Sequence, residues 1–441
     1  MKVLVIGGGA REHVIVSTLK KNGAKIYSVM KNLNPGIKRL SEEYLIHDEN
    51  DVEKVSDYAF NKRVELAIIG PEAPESHGLT DALIKRGIKV ASPTQAAAEI
   101  ETNKEFMRRL MEKYKIKGSV KSKAFGDIEM AKEFIEMLEG NVAIKPIGLT
   151  GGKGVKVAGD HFNSVEEAVE YAKEVIEKGI GGMHRVLIEE KVVGEEFTLQ
   201  AFCDGKAIYP MPAVQDHKRL LEGDKGPNTG GMGSYSHKSG ILPFMTADDY
   251  EIATNILQKI IEALRNEGRE YRGTIYGQFM LTADGPKVIE INARFGDPEA
   301  MNVLPIMKSN FLEICEAMAT GDLTNHYIDF ESKSTVCKYV VPRGYGIAPK
   351  ENILIEVDEK AIENEGAILF YASVNEKDGK IYTTRSRSLA VVGIADEIED
   401  AEKICEAGLK HVKGDVFIRH DIGKKETIEK RIKHMKMLRG E

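Results

Sequence analysis

The chain has 441 residues, 42% of them hydrophobic and 30% charged, with a formal net charge of −7. That length exceeds one ordinary hydrophobic core, so two to four domains are expected. No basic block stands out, which speaks against a dedicated nucleic-acid binder, and no apolar run is long enough for a membrane-spanning helix.

In chain order, "KVLVIGGG" (2–9) reads as a buried strand running into a glycine turn. Helical spacing follows over 11–23, and strands are expected at 25–30, 65–72 and 88–93, alternating with helices such as 51–62 and 78–86. Alternation of this kind means a doubly wound parallel α/β unit, closing near residue 101. A helix over 102–114 opens with Thr102 or Asn103. Next come a strand, glycine loop and strand over 141–158, an amphipathic helix over 164–179 and a strand-rich stretch over 184–208, together of α+β character. Residues 215–236 read as one long polar loop, of the kind that is usually functional. A helix over 246–267 leads to a hairpin over 276–292 turning at "ADG", then to a helix over 308–320. The chain changes character near 326, and its tail reads as short strands and two helices. The working division is 1–101, 102–326 with a flap lobe near 115–190, and 327–441.

Cys203, Cys315, Cys337 and Cys405 are widely spaced with no CxxC, so free thiols are expected and not a disulfide framework or zinc site. With too few apolar residues before Gly7 for a signal peptide, a reducing, cytoplasmic setting is expected.

Three stretches carry chemistry. Gly7-Gly8-Gly9-Ala10-Arg11-Glu12 departs from the dinucleotide fingerprint, because Glu12 stands where Gly or Ala is needed. It is left as a generic anion site at a helix N-terminus or a structural turn, with His13 by itself a structural histidine. "GLTGGKG" (148–154) is not a Walker A loop, since Gly154 replaces the magnesium-binding Ser/Thr. With Lys145 on the strand before it, it suits a polyphosphate, the alternative being a hairpin with a solvated lysine. In "VIEINARFGDPE" (288–299), alternation puts Val288, Glu290 and Asn292 on one strand face, with Gln278 opposite Glu290 across the hairpin. Three hard oxygen donors there suit a divalent cation completed by substrate phosphates, and Arg294 beyond them suits phosphoryl transfer.

Taken together, "GGGAREH", "GPEAP" (70–74), "QDHKR" (215–219), "GPNTGGMG" (226–233), "EINARFGDPE" (290–299) and "GDVFIRHDIG" (414–423) resemble the phosphoribosylamine–glycine ligase family of the ATP-grasp superfamily, end to end. The resemblance implies a doubly wound N-terminal domain, an ATP-grasp fold of two α+β lobes and a small α+β C-terminal domain. It implies a reaction of ATP, glycine and 5-phosphoribosylamine giving glycinamide ribonucleotide, with Mg2+ or Mn2+, in a monomer or weak homodimer. By resemblance, Lys104 and Lys145 hold ATP phosphates under a flap of Gly151, Gly152, Lys153 and Gly154. Glu189, Glu190 and Val192 form the adenine hinge, with Glu196 on the ribose. Glu290 and Asn292 are metal ligands, and Gln278 is added from geometry. Gly9, Arg11, Glu12, His13, Pro71, Glu72, Thr229, Gly230, Asp297 and Pro298 line the substrate side, with Asp216, Lys218 and Arg294 at the reacting end. The sequence departs from the family at Gly8 and Ala10, where Asn and Gly are common, at Gln278, where many relatives carry a small residue, and at "TRSRS" (384–388), where "GGR" is usual. Another ATP-grasp carboxylate–amine ligase, or a carboxylating enzyme of purine synthesis, shares the grip and metal hairpin and is separated by the "QDHKR" and "FGDPE" loops alone.

Overall fold

The computed structural model describes residues 1–150 and 154–441. The first hundred residues build a parallel five-stranded sheet in the order Ser41–Ile46, Lys25–Met30, Lys2–Ile6, Leu66–Ile69, Lys89–Val90. Its central strands are continuous apolar runs because helices cover both faces. Val3 and Val5 pack with Val14, Ile15 and Leu19, whereas Leu4 and Ile6 pack with Val55, Leu79 and Leu83. Strand order reverses beside Lys2–Ile6, so the loops after Ile6 and Ile69 emerge together at the carboxyl edge, where such sheets bind ligands. The Ser41–Ile46 strand is absent from the sequence reading because it is an exposed edge strand, "SEEYLI", without a buried stripe.

The flap lobe is a four-stranded antiparallel sheet in the order Ser122–Phe125, Val186–Glu190, Val142–Pro146, Lys156–Val157. Helices Ile128–Met137 and Val165–Lys178 cover it around Ile135, Ile144, Val175 and Ile188. The second helix starts where Ser164 accepts from the Glu167 amide and stops at left-handed Gly179. Asn103, not Thr102, caps the Lys104–Lys113 helix.

A ten-stranded sheet forms the body. Gly285–Asn292, Arg272–Thr282, Glu195–Asp204, Val214–Asp216, Gly233–Ser236, Ser334–Pro342, Leu389–Ala395 and Ile368–Tyr371 follow one another across it. The sheet crosses position 326 without a break, since Ser234 pairs with Cys337. Residues 215–236 are therefore not one loop: they hold two strands of this sheet and the hairpin Arg219–Leu221/Lys225–Asn228. Strands of three or four residues rich in Gly, Pro and Asn leave no periodicity to read. The tail carries three helices, Glu359–Asn364, Ile398–Leu409 and Lys425–Arg439, one more than expected. All four cysteines are free and buried. Among the described residues no helix is long and apolar enough to cross a membrane.

Candidate active site

A cavity of about 900 Å³ opens where the carboxyl edge of the N-terminal sheet, the flap lobe, the Arg272–Asn292 hairpin and the tail converge. Its two ends differ in chemistry.

At the flap end, Lys145 stands on the strand Val142–Pro146, which runs antiparallel beside Val186–Glu190. Its Nζ lies 2.7 Å from Glu189 Oε2 and donates to the Ile289 carbonyl at 3.2 Å. The other Glu189 oxygen takes Arg108 Nε at 2.6 Å, and Arg108 also donates to the carbonyls of Val288 and Ile289. Burial alone would raise the Glu189 carboxyl, but Arg108 and Lys145 outweigh it and hold it below its usual range. The Glu189 side chain thus aims Lys145, a role the hinge assignment had not contained. Glu190 accepts from the Lys121 amide, and Val192 lines the wall. Lys104 Nζ donates to the Gly148 carbonyl at 3.1 Å, and burial lowers its pKa. Gly151, Gly152 and Lys153 lie outside the described residues; Gly154 accepts from the Tyr171 hydroxyl through its carbonyl.

On the hairpin, Gln278 pairs with Glu290 and Tyr276 with Asn292. The Val288 expectation fails. A bulge leaves Phe279 opposite Val288, so Val288 and Ile291 both enter the core while Glu290 and Asn292 face the cavity. Asn292 Nδ2 lies 3.5 Å from Glu290 Oε1, Lys218 Nζ lies 3.6 Å from it, and Lys218 also donates to Gln278. Gln278 in turn donates to Glu196 Oε2 at 2.7 Å. Burial would raise Glu290, yet Lys218, Lys104 and Lys145 bring it down to about 2. A carboxylate kept charged beside two amide side chains, among cations that favour phosphate, fits a divalent metal with a polyphosphate.

At the far end, the Gly7–Gly9 turn is filled from within. Glu12 accepts from the Gly9 amide at 2.7 Å and from Arg11 Nε at 2.6 Å. A Cβ on Gly7, whose φ is +118°, would sit 2.6 Å from Glu12 Cγ, and one on Gly70 would sit 1.9 Å from Glu12 Oε1. The carboxylate occupies the helix N-terminus where a dinucleotide would place its pyrophosphate. His13 turns away. Its Nδ1 accepts from the Tyr371 amide at 2.8 Å, its ring packs on Phe370, and burial lowers its pKa to about 4. His13 is a neutral wedge between the N-terminal sheet and the tail, which corrects its placement on the substrate side.

Arg294 lines the cavity without pairing Asp297 or Glu299. It bridges Glu72 at 3.3 Å and Glu101 at 3.1 Å. Burial lifts Glu101 to about 7 even beside this cation. Asp297 instead meets Arg387 at 3.0 Å and the Tyr339 hydroxyl at 2.5 Å. Arg387 belongs to the atypical "TRSRS" stretch, and it also donates to the Gly230 and Gly231 carbonyls. Thr229 donates to the Lys218 carbonyl and fixes that loop. Asp216 Oδ1 is buried without a partner, and burial beside Glu299 pushes Asp216 well above the usual range. Pro71 and Glu72 line the wall where a short helix starts, whereas Pro298 packs against Gly231 behind it.

Comparison with known proteins decides the family. Residues 1–101, 102–300 and 335–425 match the models "Phosphoribosylglycinamide synthetase, N domain", "ATP-grasp (A) domain" and "C domain". The phosphoribosylamine–glycine ligase of Methanothermobacter thermautotrophicus is 55% identical over the whole of both chains. The chain belongs to the phosphoribosylamine–glycine ligase family. A second such ligase, from Methanocaldococcus jannaschii, is 54% identical over the whole of both chains. The crystal structure of the Thermotoga maritima phosphoribosylamine–glycine ligase superposes with a TM-score of 0.81 at 28% identity, covering 96% of this chain and 100% of that one. A Hydrogenobacter thermophilus biotin carboxylase domain, solved with MgADP and bicarbonate, shares the fold at a TM-score of 0.73 and 17% identity over 99% and 93% of the chains.

ATP-grasp members of this kind bind ATP with a divalent metal, and the lysine and amide–carboxylate end of the cavity suits both. The cavity wall also includes residues that the sequence reading did not name as site residues. Glu299 and Tyr276, joined at 2.8 Å, sit beside Asp216 and Lys218, and Arg387, Ser373 and Ser386 bring the tail into the cavity. Arg387 was visible only as a departure from "GGR"; nothing local marks Ser373.

Proposed function

We propose that the cavity joins glycine to 5-phosphoribosylamine with cleavage of ATP, giving glycinamide ribonucleotide, ADP and phosphate, a step of purine biosynthesis. Full-length relatedness at 55% identity carries this reading, because the cavity walls come from all three matched segments.

A carboxylate does not acylate an amine directly, since oxide would have to leave. A glycine carboxylate oxygen attacks the γ-phosphorus, the bond to the ADP oxygen breaks, and glycyl phosphate forms. The phosphoribosylamine nitrogen then attacks the carbonyl carbon, phosphate leaves and the amine gives up a proton. The chain supplies positioning and charge. Lys104 and Lys145 take the phosphates, and the 148–154 loop shields them from water. The hinge 189–192 and Glu196 take adenine and ribose. Gln278, Glu290 and Asn292 hold magnesium or manganese, which when bound neutralises the phosphoryl oxygens. Arg294, Asp216 and Lys218 face the reacting carboxylate, and the Gly9–Glu12, Pro71–Glu72, Thr229–Gly230 and Asp297 walls take phosphoribosylamine. The working units remain 1–101, 102–326 and 327–441, in a cytoplasmic monomer or weak homodimer.

Measuring ADP formation with glycine, freshly generated phosphoribosylamine and the metal each omitted in turn tests this. Turnover should need all three. Turnover with bicarbonate in place of glycine, or without the amine, would move the chain to another ATP-grasp reaction.

A further inference from the structure

We propose that the C-terminal helix Lys425–Arg439 forms part of the nucleotide end of the cavity, with Arg431 as the residue that positions the strand Glu195–Asp204 and the overhanging hairpin. This rests on ATP occupying that end.

The match to the C-domain model stops at 425, where this helix begins. The helix nevertheless reaches the cavity, whose wall includes Arg431. Arg431 Nη1 lies 3.3 Å from Glu195 Oε2, and Nη2 meets Asp224. One turn on, His434 Nδ1 lies 2.6 Å from the other Glu195 oxygen. Glu195 starts the strand Glu195–Asp204, and the next residue, Glu196, accepts from Gln278 of the metal hairpin. Glu195 is nearly buried, its side chain 6% exposed, so this grip is not loosened by solvent.

Asp224 lies at the turn of the hairpin Arg219–Leu221/Lys225–Asn228. Arg419, fully buried, also holds Asp224 at 2.8 Å and donates to the Arg219 carbonyl. Arg219 in turn meets Asp160 of the flap lobe at 2.7 Å. One guanidinium therefore ties the start of the strand Glu195–Asp204 to a hairpin that reaches the flap. Beneath it, His217 is 2% exposed, lines the cavity and has no partner on either ring nitrogen; Arg431 Nε is likewise buried and unpartnered. Polar atoms left open at a cavity wall mark a corner built around a polar ligand. Arginine suits the post because its fork serves two carboxylates on two elements at once, which an ammonium does poorly.

The test uses the full chain, with ADP and magnesium binding by calorimetry, steady-state kinetics and melting curves. Arg431→Gln should weaken ADP binding and raise the KM for ATP about tenfold, the scale of one lost charge-assisted contact, with the KM for glycine and phosphoribosylamine within about twofold. Arg431→Lys should fall between. Arg439→Gln breaks the 2.8 Å pair with Asp249 at the far end of the same helix, and should lower Tm with ADP affinity near wild type. Wild-type ADP affinity in folded Arg431→Gln would overturn the proposal. So would an Arg439→Gln loss as large as that of Arg431→Gln, which would make the helix a general brace. If Arg431→Gln does not fold, Arg431→Lys decides, and unchanged affinity there overturns it. A wild-type chain that binds no ADP would overturn the placement of ATP, and this proposal with it.

Discussion

Glu189→Gln removes one charge from a buried triad and leaves the shape nearly unchanged. The side chains of Glu189, Arg108 and Lys145 are 3%, 4% and 6% exposed, so solvent does not screen them. Breaking a buried ionic group by deleting one partner costs about 3–5 kcal/mol. The Gln carbonyl still accepts one hydrogen bond, which places the expected loss near the lower end, about 3 kcal/mol. At roughly 2–4 °C per kcal/mol for a unit of this size, Tm of the ligand-free protein should fall by about 6–12 °C. Lys145 also loses its anchor, so kcat/KM for ATP should drop by about tenfold or more. By linkage, a given ATP concentration should therefore raise Tm less in the variant than in wild type. The pH sign is fixed as well. The folded-state pKa of Glu189 is depressed, so its contribution is present above the unfolded value near 4.5 and is lost as pH falls through the folded value. The two proteins should therefore converge in Tm on acidification below about pH 4.5. Equal melting temperatures at pH 7, or a Tm loss with unaltered ATP kinetics, would refute the view that Glu189 aims Lys145.

Glu290→Gln should cut the metal-dependent rate of the folded enzyme about 100-fold, read from ADP production against magnesium concentration; wild-type rates would remove Glu290 from the metal site. Arg294→Ala should lower both Tm and kcat, because it unpairs Glu101 and Glu72 and also removes a cation from the reacting end. A Tm loss with wild-type kcat in the still-folded enzyme would leave Arg294 as an interdomain bridge only. His13 is buried neutral, its pKa lowered from 6.5 to about 4, so folded stability should decline as pH falls from 6.5 toward 4, by about 3 kcal/mol. His13→Gln should flatten that stretch of a Tm-against-pH curve; an unchanged slope would place the titration elsewhere.

What the sequence could show follows from how local each feature is. The N-terminal strands are legible because burial on both faces makes them plain apolar runs, whereas Gln278 comes opposite Glu290 only because the bulge after Val288 shifts a register that the turn alone would have continued to Ile289. The triad is not legible, since Arg108, Lys145 and Glu189 come from three separate elements, and nothing local joins Lys145 to Glu189 or marks Arg108. His13 stands in the first turn of the helix Ala10–Lys21, directly after a functional-looking loop, and only the packing of Phe370 and Tyr371 from the far end of the chain turns it away. Arg294 shows the same limit: Asp297 and Glu299 are near it in sequence, but Glu72 and Glu101 are near in space.

The bulge in Gly285–Asn292 links the two halves of the nucleotide end. Regular alternation would have put Val288 beside Glu290 in the cavity and wasted an apolar side chain on a polar wall. The bulge sends Val288 into the core with Phe279 and Ile291. The carbonyls of Val288 and Ile289 are then taken by Arg108 and Lys145, which also share Glu189. The strand that presents Glu290 and Asn292 thus holds, through its own backbone, Lys145 of the flap lobe. The Glu290–Asn292 strand and Lys145 are fixed to one another by buried contacts, the Lys145 ammonium and the Arg108 guanidinium both ending on the strand's carbonyls. That rigidity is what phosphoryl transfer needs, because misplacing either group relative to the other loses charge stabilisation that neither restores alone.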